Sequence, residues 1–347
     1  VRGKLHYFGK DLQAALARWE AEKDDLLAGR LPRAMQEATT VGLCCNTFLA
    51  DRERKLENGE LSPHTWSDYL RVCKAVAAAF GKNRLASDLR PADFAGLREH
   101  LAQRYSLAKL KNIITAVKSI FTYAFKAELV DRPINFGIGF EKPSLKALRI
   151  ERQQKGEKLF TSEEIRRLID AANVPMRAMV LLGVNCGFEP EDCASLPLSA
   201  LDLVAGWHRH GRPKTGLPRR CPLWPETVSA LQTWLTRRPE PREMADAPLV
   251  FLTRFGRRFS SYRSGGNVGA ETTKLLHRLD IHRPGFGFYV LRHVFRTVAD
   301  ECKDGPACDL IMGHANSHIS GAYRERIGDE RLRVIVDHVH GWLYSAR

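Results

Sequence analysis

The sequence predicts a mainly α-helical chain with one small antiparallel β-sheet, arranged as an N-terminal four-helix domain followed by a larger mixed α+β domain. Three observations carry this reading. The 347 residues suffice for two domains at roughly 100–200 residues each. Apolar residues recur at helical spacing through most of the chain. Beyond a short piece at 4–10, strand-like alternation with glycine turns is confined to 198–208 and 212–223, with one further strand expected near 249–251.

Taken in order, residues 1–35 hold a short alternating piece at 4–10, then an Ala- and Leu-rich helix over 12–28, too little to fold alone. The helical domain is expected over 36–130. Val41, Leu43, Cys44, Phe48 and Leu49 set its first helix, and Ser62-Pro63 caps a second that Gly81 stops. A third opens between Asp88 and Pro91. Leu107, Leu110, Ile113, Ile114, Val117, Ile120, Phe121 and Phe125 mark a strongly amphipathic fourth. Residues 131–158 carry prolines, glycines and many basic residues without a sustained apolar period, which reads as a basic linker. The second domain, 159–347, opens on the capping signal Thr161-Ser162-Glu163-Glu164 and continues with a buried helix over 176–184. After the sheet it is helical, ending on the stripe Leu332, Ile335, Val336, Val339, Trp342 and Leu343.

Composition narrows the function. With 44% hydrophobic and 27% charged residues, a mainly disordered chain is excluded. No stretch approaches the roughly eighteen apolar residues of a membrane span, and no apolar run follows Val1-Arg2-Gly3-Lys4 as in a signal peptide. A soluble, intracellular protein is expected. The eight cysteines form no CxxC pair and sit among apolar neighbours, so they read as reduced core thiols, with neither disulfides nor a zinc site expected. The net charge is +14, and 204–283 alone holds 15 basic and 6 acidic residues, a concentration suited to a phosphate-tracking surface.

Four features follow one another in the second domain: Arg212-Pro213-Lys214-Thr215-Gly216 in a hairpin, Tyr289-Val290-Leu291-Arg292-His293 opening a helix, Gly313-His314, and Tyr323 nine residues beyond His314. Each is weak alone. In this order and spacing the chain resembles the tyrosine recombinase, or phage integrase, family. The resemblance implies a helical core-binding domain at 36–130 and a tyrosine-recombinase catalytic domain at 159–347. Residues 1–35 resemble a remnant of the strand-and-helix arm-binding module of some integrases.

The resemblance implies cleavage and rejoining of double-stranded DNA through a 3′-phosphotyrosyl intermediate. Such chemistry requires a nucleophile that stays attached, cations on the non-bridging oxygens and an acid for the leaving 5′-oxygen. Tyr323 would attack, Arg292 would clamp the phosphate, Lys214 would protonate the leaving oxygen, and His314 would hold a phosphate oxygen or assist proton transfer. No metal, nucleotide cofactor or small-molecule substrate is implied. Trp342 lies in the C-terminal helix, which in relatives docks on a neighbouring protomer, so a homotetramer on DNA is expected.

The chain departs from the family pattern twice. In Cys186-Gly187-Phe188-Glu189 the first arginine of the family is Glu189, which places an anion where a cation should hold the phosphate. The histidine three residues before Arg292 is Tyr289, which still donates a hydrogen bond. Arg296, one helical turn from Arg292, or Arg212, Arg219 or Arg220 from the hairpin, would supply the missing cation. Lys109, Lys111, Lys118, Arg219, Arg220, Arg257 and Arg258 are candidate DNA contacts, with the helical domain and segment 204–283 expected to clamp the duplex. His314 and His318 as a metal pair lack a third ligand nearby, and DNA-facing histidines are the preferred reading. Tyr323 as a packing residue is the alternative to a nucleophile. Two functions stay open: an active strand transferase, or a DNA-binding protein of the same fold that has lost cleavage through Glu189 and occupies a site or assists a partner.

Overall fold

A computed structural model describes residues 1, 5–29, 39–259, 268–314 and 326–345, apart from the side chains of residues 21 and 25. The chain divides into two units, Val1–Gly156 and Glu157–Arg347.

In the first unit, α1 (Leu12–Ala28) precedes α2 (Val41–Glu57), α3 (Pro63–Phe80), α4 (Pro91–Arg104) and α5 (Leu107–Lys126). Side chains fix their starts: Thr40, Ser62 and Ser106 each accept a hydrogen bond from a backbone N–H in the first turn, and Pro63 occupies the first helical position. The core is aromatic. Phe94 meets Phe80, Phe121, Phe136 and Phe140 at ring-centroid distances of 4.9–5.7 Å. Two expectations are corrected here. Residues 5–10 form no strand, because no described segment pairs with them; Phe8 instead packs edge-on to Trp19 at 5.6 Å. The stretch expected as a linker is structured to Gln154. Phe140 is fully buried, Glu141 accepts from Arg98 through its carbonyl and pairs with Lys118, and a further helix, α6 (Leu145–Gln154), follows. It escaped notice because α6 buries no residue and so carries no apolar stripe.

The second unit is organised around α8 (Val174–Cys186), which every neighbour covers: α7 (Ser162–Ala171), α10 (Pro225–Leu235), α11 (Val268–Arg278), α12 (Tyr289–Ala299) and α14 (Asp329–Tyr344). From Ala178 onward helix α8 is buried all round, as a central helix must be. Its one polar side chain in the interior, Asn185, is fully engaged: Nδ2 donates to Pro222 O, and Oδ1 accepts from Trp224 N and Thr227 Oγ1. Helices α9 (Pro190–Ala194) and α13 (Gly305–Met312) complete the unit. The sheet is smaller than expected. β1 (Leu201–Asp202), β2 (Trp207–His208) and β3 (Cys221–Pro222) pair antiparallel in that order, and the 249–251 stretch contributes only an isolated bridge at Leu249. Helix α14 lays Leu332, Ile335, Val336, Val339 and Leu343 onto its own unit, with Trp342 half-buried against the same core. Among the described residues no helix is long and apolar enough to cross a membrane.

Candidate active site

Two helix C-termini and one hairpin converge in the second unit. Helix α8 ends at Gly187 and α13 at Gly313, both with φ of +64°, a left-handed conformation that glycine adopts without strain. Between them lies Arg292 on α12. Gly183 allows α12 this close to α8, since a Cβ there would sit 2.8 Å from Leu291 Cδ1. The guanidinium of Arg292, 2% exposed, donates from Nη1 to Gly187 O and from Nη2 to Met312 O and His314 Nε2, both at 2.8 Å. These bonds use three of its five N–H donors and tie both turns to one cation.

The hairpin between β2 and β3 brings Arg212 to the same place. Gly313 leaves the room: a Cβ would stand 2.8 Å from Arg212 Cβ and 3.3 Å from Arg219 Cδ, and Thr215 Oγ1 donates to Gly313 O at 3.2 Å. The Arg212 Nη2 lies 3.4 Å from both carboxylate oxygens of Glu189, and Arg212 Nε is buried without a hydrogen-bond partner. Glu189 itself is held as the cap of α9, its N–H donating to Asp192 Oδ2 at 2.8 Å. Burial and then the charge of Arg212 lower the pKa of Arg292, while burial, Arg292 and Arg212 lower that of His314 against the opposing Asp309. The three side chains thus share one electrostatic site.

His314 is poised as a neutral acceptor. Arginine only donates, so Nε2 of His314 carries the lone pair and Nδ1 the proton, facing Asp309 Oδ1 at 3.6 Å. Asp309 in turn accepts from Arg296 Nη1 at 2.7 Å, and Arg296 Nε donates to Asp300. Arg296 is therefore held by two carboxylates, one of which also faces His314, whereas Arg212 lies beside Arg292 and His314. Sequence reasoning missed Asp309; the Arg296/Asp300 pair at i, i+4 was a readable sign that Arg296 was engaged.

The remaining predicted residues divide clearly. Lys214 is exposed near the hairpin tip, and Tyr289, 46% exposed, packs edge-on to His293. Tyr323 and His318 lie outside the described residues. Arg219 is corrected: its side chain is fully buried with Nη2 2.7 Å from Asp192 Oδ1, so it cannot reach DNA. Arg220 is committed within the protein, donating to Ile327 O, pairing with Asp329 and lying over Trp207. Lys109 pairs with Asp68, Lys118 with Glu141 and Arg258 with Asp246, whereas Lys111 and Arg257 present exposed side chains.

The His314 environment fixes a pH dependence. A folded-state pKa below the ordinary 6.5 means that the unfolded chain takes up the proton first. The stabilisation is complete above that value and is lost as pH falls below it. Urea unfolding at about pH 7 and about pH 5.5 should show a larger loss for the parent chain than for His314→Gln. Equal losses would contradict the assignment.

Known proteins similar to this chain are recombinases and integrases. A model of the phage integrase family matches residues 158–327. The tyrosine recombinase XerC of Alcanivorax borkumensis is 23% identical over 309 residues, covering 85% of this chain and 92% of that protein. The XerC of Haemophilus ducreyi is 24% identical over 288 residues, covering 81% and 90%. Among solved structures, the Tn1549 transposon integrase in complex with a circular intermediate DNA superposes with a TM-score of 0.60 at 14% identity, over 86% of this chain and 99% of that one. A lambda integrase tetramer bound to a Holliday junction gives 0.54 at 15% identity, over 94% and 92%. The unit that this model matches, residues 158–327, belongs to the phage integrase family.

Proposed function

We propose that this protein is a site-specific DNA strand transferase of the bacterial cytoplasm, with Arg212 serving in place of the family's first arginine. The carrying observation is the Glu189–Arg212 pair: the carboxylate at the altered position holds a guanidinium beside Arg292 and His314, and that guanidinium keeps a buried, unpartnered N–H. The Tyr323 hydroxyl attacks the phosphorus, and its proton leaves to solvent as the O–P bond forms. The bond to the 5′-oxygen breaks, and Lys214 Nζ supplies the proton to that oxygen. Arg292 and Arg212 bind the non-bridging oxygens as charge builds on them, and neutral His314 lies at their edge. The 3′-phosphotyrosyl bond conserves the energy of the phosphodiester, so rejoining needs no cofactor.

Glu189 favoured the alternative of a binding protein without cleavage. Its pairing with Arg212 removes most of that weight, because the net charge beside Arg292 is no longer that of a bare carboxylate. A nicked suicide substrate separates the two: the parent chain should form a covalent DNA adduct that Tyr323→Phe cannot, and binding with no adduct on any nicked substrate would establish the alternative.

The partner is double-stranded DNA, and the active assembly a tetramer. Since α14 turns its apolar face onto its own unit, any contact that this helix makes with another copy falls to its outer side, where Val334 is exposed. Lys111 in the first unit and Arg257 in the second are the exposed phosphate contacts. Each alanine replacement should reduce the slope of log affinity against log salt by about 0.9. An unchanged slope would remove that residue from the interface.

A further inference from the structure

A second cluster of chemically competent side chains lies beside the active site, and the strand-transfer reaction has no use for it. Cys186 is the last residue of α8, and His208 and Cys221 stand directly opposite each other on β2 and β3. Their ligand atoms lie within 4.8 Å of one another, and all three residues are fully buried. Buried lone cysteines are ordinary core residues. Two thiols and an imidazole meeting in one interior place are not, because none gains much from the apolar surroundings. The Nε2 of His208 is buried without a hydrogen-bond partner, and the Cys221 thiol lies near the carbonyls of Asn185 and Pro222, at 3.7 and 3.3 Å.

We propose that Cys186, His208 and Cys221 bind one zinc ion. Zinc bonds of ~2.3 Å to sulfur and ~2.0–2.1 Å to nitrogen place tetrahedral ligand atoms roughly 3.3–3.8 Å apart, so the cluster closes by roughly 1.5 Å at most. On binding, zinc takes the place of the thiol protons, which leave to solvent. The ion would be structural. It would bolt the end of α8, one residue before Gly187, to the strands whose hairpin carries Arg212 and Lys214.

The test is independent of DNA cleavage. The full chain, without a histidine tag, is produced in zinc-supplemented medium, purified under reducing conditions and assayed by elemental mass spectrometry. One zinc per chain is expected, falling at least tenfold in Cys186→Ser/Cys221→Ser and unchanged in the control Cys302→Ser. A metal-free parent chain after reconstitution with zinc, or full zinc content in the double variant, would overturn the proposal. Should the double variant not fold, cobalt titration of the parent decides. Thiolate-to-cobalt charge transfer with tetrahedral d–d absorption supports the site, and octahedral cobalt without charge transfer refutes it.

Discussion

Arg212→Ala is expected to slow formation of the covalent DNA adduct by about 100- to 1,000-fold, the usual effect of removing one preorganised donor from developing charge. The side chain is 8% exposed, pairs with Glu189, and sits close enough to Arg292 and His314 to lower both of their pKa values. DNA affinity should change far less, since many phosphate contacts share it. Arg296→Ala separates the two candidate cations. Arg296 is bound by Asp300 and Asp309 and reaches the site only through His314, so its loss should be much the smaller. Single-turnover rates on a nicked substrate measure both, and the reverse order would reassign the cation to α12.

The second large effect concerns stability. Arg219 and Asp192 form an ion pair in which both side chains are fully buried, and Arg219 also donates to His210 O at 2.6 Å and covers the Phe188 ring at 4.4 Å. Asp192→Ala would strand the guanidinium in the interior and take the acceptor from the Glu189 N–H, a loss of about 3–5 kcal/mol by urea unfolding. Replacing the pair together, Asp192→Leu/Arg219→Met, should recover much of that loss, because two apolar side chains need no solvation. A loss below about 1 kcal/mol in the single variant would show that the pair is screened by solvent.

Helices were legible wherever a cap met an apolar stripe. Ser62-Pro63 and Thr161 with Glu164 announce their helices, and the structure starts α3 at Pro63 and α7 at Ser162. Helix α6 was not legible, because it is solvated and lacks a stripe, and the aromatic pair Phe136 and Phe140 ahead of it belongs to a core built from distant helices. The strands shrank to two residues each because the hairpin spends 209–220 on side-chain contacts with α9 and α13 instead of ladder bonds. In the site, Arg292 and His314 follow from their motifs, and the structure joins them by one hydrogen bond. The partnership of Glu189 with Arg212, 23 residues on, had no local signal. Nor had the burial of Arg219, since an arginine in a basic hairpin looks the same whether it faces DNA or a buried aspartate. The meeting of Cys186, His208 and Cys221 was hidden for the same reason, as tertiary contact alone unites them.

The Arg212 guanidinium is expected to meet a non-bridging oxygen of the phosphate that Tyr323 attacks. A substrate carrying a neutral methylphosphonate in place of that phosphate decides this. If the cation's task is to balance charge on that oxygen, Arg212→Ala will be deeply impaired on the phosphate but form adduct on the methylphosphonate at a rate close to the parent's. An equal impairment on both substrates would show that Arg212 serves the hairpin's shape and not the reacting phosphate.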